Sequence, residues 1–123
     1  WKTAAPADLQ TELSGGADVM ARNKYGGTPL HFAASYGTPA NIQALLAAGA
    51  DVMARNENGR TPLHRAAEVA LAGSAANIQA FLDANADAKV KNEEGKTPRD
   101  LAQENEKLKG TKAYWALNDA QYN

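Results

Sequence analysis

The segment TPLHFAA at Thr28–Ala34 returns as TPLHRAA at Thr61–Ala67, and a worn copy, TPRDLAQ, stands at Thr97–Gln103. GADVMARN at Gly16–Asn23 likewise recurs letter for letter at Gly49–Asn56, and in altered form as NADAKVKN at Asn85–Asn92. Both segments step first by 33 residues and then by 36. Two unrelated stretches marching at one period make the chain a repeat array. An array of this kind offers an extended surface rather than one deep pocket, so function is to be sought among outward-facing residues.

Bulk properties narrow the classes. A chain of 123 residues suits one domain with a continuous core. Its 13 basic and 14 acidic residues give a net charge of −1, which lacks the basic excess of nucleic-acid binders. The chain has no cysteine, hence no disulfide, thiolate metal site or thiol nucleophile, a pattern that fits a cytoplasmic or an exported protein equally. No run approaches the roughly 20 apolar residues of a membrane-spanning helix, so no membrane insertion is expected. A first residue of Trp1 suggests a processed protein or an excised segment.

The first whole unit spans 23–55. Asn23-Lys-Tyr-Gly26 reads as a turn, with Gly26 free to take positive φ. Thr28 then caps a helix whose first position is Pro29, where a missing N–H costs nothing. Ser35-Tyr-Gly37 ends it. Pro39 opens a second helix with an apolar stripe at Ile42, Leu45 and Leu46, stopped by Ala48-Gly49. Asp51–Arg55 is expected to run extended into the next turn. The second unit, 56–91, repeats this around Gly59, Thr61, Pro62, Leu63, Ile78, Phe81 and Leu82. Its three extra residues fall in Val69–Ser74, which predicts a longer first helix ending near Gly73.

The pattern x-G-x-T-P-L-H-x-A-A, a paired apolar stripe and then G-A-D-V resembles the ankyrin repeat across nearly all of residues 7–120. The resemblance implies an all-α solenoid of helix-turn-helix units linked by β-hairpin-like loops, with first helices lining a concave face. The chain reads as one domain: an N-terminal half-unit at 1–22, units at 23–55 and 56–91, and a capping unit at 92–123. Leu9 and Leu13 align with Ile42 and Leu46, so the N-terminal part is expected to be a lone second helix with Trp1 folded over the bare edge. At the other end Arg99 and Asp100 replace leucine and histidine, as suits a polar outer face. There the run 103–109 is expected to be solvated, Tyr114, Trp115 and Leu117 to form the last stripe, and the array to end.

Candidate chemistry resolves mostly into framework. His31 and His64, the two histidines, could in principle be general bases or metal ligands. The pair lies one repeat apart, with no adjacent carboxylate or cysteine to complete a metal shell, and the resemblance implies that each bonds its capping threonine and the neighbouring loop. Asp18, Asp51 and Asp87 occupy one slot in successive copies, whereas acid and base partners need different environments. No phosphate loop or nucleophile motif is present. No catalytic residue, cofactor or metal is therefore expected. Met20 and Met53 depart from the asparagine usual in that slot of the family, which argues against asparagine hydroxylation there. Two readings stay open for them: a soft contact stripe, or side chains folded back on the hairpin stem.

Positions that vary while the framework recurs are the candidates for partner contact. At the hairpin tips these are Arg22, Lys24 and Tyr25, then Arg55, Glu57, Asn58 and Arg60, then Lys91, Glu93 and Glu94. On the first helices they are Ser35 and Tyr36, followed by Glu68, Val69 and Leu71, and then Glu104 and Asn105. Tyrosine and arginine are enriched in binding hot spots. The insertion adds Val69 and Leu71 where the period breaks, which makes it either a cover for the groove or part of a partner site. The expected function is a monomeric, non-enzymatic module that binds a protein partner through these tips and the concave face. The alternative is an intramolecular structural or regulatory domain of a larger chain.

Overall fold

The computed structural model describes residues 19–69 and 74–122. Six helices follow in order: α1 at Pro29–Tyr36, α2 at Pro39–Ala47, α3 at Pro62–Glu68, α4 at Ser74–Asp83, α5 at Pro98–Gln103 and α6 at Lys112–Tyr122. No strand occurs among the described residues. Helices α1, α3 and α5 pack on one another as one layer, while α2, α4 and α6 form a second. Within each unit the two helices also pair, as α1 with α2, α3 with α4 and α5 with α6. This is the all-α solenoid that the period requires.

Each first helix starts the same way. Thr28, Thr61 and Thr97 take extended N-cap conformations, and proline follows at the first helical position. The backbone N–H of Thr28 donates to His31 Nδ1 and that of Thr61 to His64 Nδ1, both at 3.1 Å. In the last unit Asp100 Oδ2 accepts the Thr97 N–H at the same distance. An orphan donor at each helix start is thereby satisfied by the third residue of the helix.

Leu30, Ile42, Leu45, Leu63, Ile78, Phe81 and Leu117 lie at 0–1% exposure between the layers. Alanines 33, 34, 66, 67 and 102 fill the helix contacts, which lets short helices approach closely. In the last unit Arg99 holds the position of Leu30, and Leu101 joins the core. Two turn glycines have distinct reasons. Gly26 has φ +76, and a Cβ there would lie 3.0 Å from the Glu57 backbone nitrogen. Gly37 has an ordinary φ, but a Cβ would sit 2.8 Å from the Ala33 carbonyl oxygen.

Several expectations need correction. Helix α3 is not lengthened by the insertion. It ends at Glu68, with Val69 extended at φ −81 and ψ 138. The Asn105 side chain donates to the carbonyls of Ala67 and Val69 at 3.1 and 2.9 Å, closing the helix end from 36 residues away. Asn77 does the same for α1, donating to Ala34 and Gly37 at 3.4 and 3.2 Å. Consequently the run 103–109 is not wholly solvated, because Asn105 and Leu108 are buried. Residues 51–55 do not run fully extended either, since Ala54 N–H bonds the Asp51 carbonyl in a turn. Trp115 is 54% exposed and lies off the final stripe, which is made by Ala113, Tyr114 and Leu117. The expectations for Trp1, Leu9, Leu13 and Leu71 fall outside the described residues.

Candidate partner-binding face

Four contacts join the turn at Asn23 and its flanking residues to the turn at Asn56, and the same four recur between the turns at Asn56 and Asn92. The Glu57 N–H donates to the Tyr25 carbonyl at 3.0 Å, and Glu93 N–H to the Asn58 carbonyl at 3.1 Å, stacking the hairpin tips. Arg22 Nη1 donates to the carbonyls of Gly26 and Arg55, each at 2.8 Å. Arg55 repeats this with Gly59 and Lys91. His31 Nε2 lies 2.8 Å from the Arg60 carbonyl, and His64 Nε2 lies 3.0 Å from that of Lys96. Last, Met20 Sδ accepts the Asp51 N–H, and Met53 Sδ the Asp87 N–H.

The histidine contacts fix the tautomer. A backbone N–H can only donate, so Nδ1 of each ring is the acceptor and Nε2 carries the proton toward the next unit's carbonyl. Burial holds both rings below the usual histidine range, partly offset by those carbonyls. The nearby cations add to the depression: Arg22 and Arg65 for His31, Arg55 and Arg60 for His64. Neutral, buried and bonded at both nitrogens, the rings serve as junction pieces.

Subtracting these ties leaves the surface open to a partner. Arg22 and Arg55, singled out from the sequence, direct their guanidinium groups at neighbouring carbonyls. Ser35 is 4% exposed and donates its hydroxyl to the His31 carbonyl, so it offers little to a partner. Arg60 pairs with Glu68 at 2.8 Å and Glu94 at 3.1 Å, and Arg65 also pairs with Glu68. Val69 gives its carbonyl to Asn105. Lys24 stands 5.1 Å over the Tyr25 ring. Glu57, Asn58, Lys91 and Glu93 have exposed side chains.

Tyr25 and Tyr36 stand apart from this group, at 55% and 60% exposure. Both line one open groove of about 370 Å³ between the first two tips and α1. Phe32 lines the same groove, its ring 5.5 Å from that of Tyr36. Asn56, Arg65 and the buried His31 and Ser35 complete the lining. Sequence reasoning does not single out Phe32 or Arg65, although both occupy the one variable letter of TPLHxAA. Further along, Arg60, Glu68, Glu94, Lys96 and Glu104 line a second, charged groove. There the Lys96 ammonium, 2.7 Å from Glu104, is held above the usual lysine range by that hydrogen bond.

Glu68, Glu94, Asp100 and Glu104 pair with neighbouring cations, and among the described residues no group of three or more His, Asp or Glu could hold a metal ion. No described helix is long and apolar enough to cross a membrane. A family model of ankyrin repeats, in three copies, matches residues 4–92. No curated protein matches the chain.

Proposed function

The chain belongs to the ankyrin-repeat family, whose members are generally protein–protein interaction modules, and we propose that it binds a protein partner along the concave face, without catalysis, as a monomer. The observation that carries this reading is the pair Tyr25 and Tyr36, both more than half exposed on one groove whose polar lining, Asn23, His31, Ser35, Asn56 and Arg65, is already bonded within the protein. Large aromatic side chains contribute much contact area for little lost rotamer entropy. Balanced charge supports a protein rather than a nucleic-acid partner. The charged groove beyond it, with Arg60, Glu68 and Glu94, would set orientation and encounter rate more than affinity.

The unit boundaries we assign, at 23, 56 and 92, are supported by the identical turns that open there. Asn23, Asn56 and Asn92 each accept two backbone N–H bonds through the side-chain oxygen.

Photo-crosslinking residues at positions 25 and 36 test the proposal, with position 47 on the exposed side of α2 as control. The expected result is one captured protein at 25 and 36, lost when the other tyrosine is changed to alanine. Equal capture at position 47, or capture indifferent to Tyr25→Ala and Tyr36→Ala, would overturn it.

A second reading, docking on another part of a longer chain, is favoured by Trp115 and Tyr122, exposed by 54% and 68% on α6. Crosslinking from position 115 within the full gene product discriminates: an intramolecular product supports this reading, and its absence removes it.

A further inference from the structure

The two methionines of the chain occupy one slot in successive units and make one kind of contact. The Asp51 N–H points at Met20 Sδ with a nitrogen–sulfur distance of 3.2 Å, and the Asp87 N–H points at Met53 Sδ at 3.3 Å. Each aspartate also reaches forward. Asp51 Oδ1 accepts the Met53 N–H, and Asp87 Oδ1 accepts the Lys89 N–H, both at 2.8 Å. The result is a continuous ladder along one edge of the array: sulfur, aspartate, methionine, sulfur, aspartate. It stops at Lys89, whose side chain has no acceptor.

Both methionines are only half-buried, so solvent and small solutes reach them. Because the chain has no cysteine, these thioethers are its softest nucleophiles. We propose that Met20 and Met53 form a paired oxidation site, at which a hydroperoxide converts both thioethers to sulfoxides and thereby releases the sulfur tie at two successive junctions.

The step balances with the hydroperoxide alone. A sulfur lone pair attacks the distal peroxide oxygen, the S–O bond forms as the O–O bond breaks, and the departing oxygen leaves as water or an alcohol after taking the proton. Sulfur is oxidised by two electrons and the peroxide is reduced by two. The thioether accepts its hydrogen bond through a lone pair, and only weakly. Once oxidised, sulfur carries partial positive charge and no longer attracts an N–H. The new oxygen cannot simply take over, because a gap of 3.2–3.3 Å between nitrogen and sulfur leaves no room for another atom. An oxygen added on the open side of sulfur faces solvent, and one added on the inner side pushes the aspartate amide away. The tie is lost by either route. Enzymatic reduction of methionine sulfoxide reverses the modification.

The test exposes the folded protein to dilute hydrogen peroxide, then reads oxygen addition by mass spectrometry and amide exchange at Asp51 and Asp87. Both methionines should gain one oxygen in the folded state, both amides should exchange about threefold faster, and the melting temperature should fall by about 4 °C. Methionine sulfoxide reductase should restore slow exchange. A Met20→Asn/Met53→Asn variant supplies an amide oxygen as acceptor, so its exchange should stay slow in peroxide. Should that variant fold poorly, Met20→Leu/Met53→Leu provides the second reference, with fast exchange before any oxidant is added. Two sulfoxides with unchanged exchange at Asp51 and Asp87 would overturn the proposal. So would oxidation of only one methionine, or resistance of both until the protein is unfolded.

Discussion

His64 Nε2 lies 3.0 Å from the Lys96 carbonyl, so the ring's single proton is directed to the next unit while its other nitrogen receives the Thr61 N–H. Protonating Nδ1 would set two donors face to face, at a site with 0% exposure. Both histidines are held below their ordinary value, chiefly by burial. The unfolded chain therefore binds these protons first as the solution is acidified. Stability should be level above pH about 6.5, then fall as pH drops toward the folded-state values. Each histidine contributes up to about 1.4 kcal/mol per pH unit within that window. Urea midpoints measured between pH 5 and 8 check this, and His64→Asn should flatten the slope.

Arg55→Met should cost about 1–2 kcal/mol, because the guanidinium donates to the carbonyls of Gly59 and Lys91 across a junction. Methionine keeps the length of the stem, which isolates the loss of donors. Arg22→Met should behave alike, since it makes the same pair of contacts one unit earlier. Denaturant unfolding of the two variants provides the comparison.

Gly37→Ala should destabilise by about 2 kcal/mol, as its Cβ would lie 2.8 Å from a backbone oxygen that is fixed in α1. Gly49→Ala is the contrast. Its φ of +98 strains an L-residue, yet no atom lies within 4 Å of the new Cβ, so a cost nearer ~1 kcal/mol follows. Thermal melts of the two variants should therefore rank Gly37→Ala below Gly49→Ala.

Leu63→Ala removes a fully buried side chain from the middle unit, which packs against both neighbours. A loss of about 2–5 kcal/mol is expected. That is a large share of the stability of a short array. Calorimetry should show a single lowered transition rather than separate melting of the outer units.

Removing Arg60 should matter less. Its pairs with Glu68 and Glu94 sit near the surface, so Arg60→Gln should cost at most about 1 kcal/mol. Most of that difference should vanish in high salt, when denaturation curves are compared at low and high ionic strength.

The period makes the architecture legible because each framework letter has one physical role. Threonine caps, proline starts, leucine fills and histidine bridges. The same logic applied to Arg22 and Arg55 places them in the framework, since MARN recurs unchanged around both. Grouping them with the varied tips overlooks that identity. Ser35 is illegible for a different reason: a serine suits water or a back-bond to its own helix equally, and here it bonds the His31 carbonyl. The end of α3 depends on Asn105, a contact across 36 residues that no local pattern announces. Buried Ala102, Asn105 and Leu108 recur at intervals of three, a spacing hidden under the charges between them. Tyr25 and Tyr36 are legible as varied aromatics, and both are exposed. Their common groove, which Phe32 also lines, becomes visible only when the first helix and the two tips are brought together.

The turn at Asn23 is joined to the turn at Asn56, and that turn to the one at Asn92, by the same four contacts, donated and accepted by corresponding atoms. The segment 23–55, which ends on Met53 and Arg55 as the preceding unit ends on Met20 and Arg22, therefore carries on one side the complement of what it offers on the other. A second copy of that segment spliced after the first would find a methionine sulfur for its Asp51 N–H and an arginine for its Arg55 carbonyl, whereas a copy of 56–91 would meet Lys89 and Lys91 there. The number of units is thus a free parameter of this chain: duplication can lengthen the binding face without any new interface having to be invented.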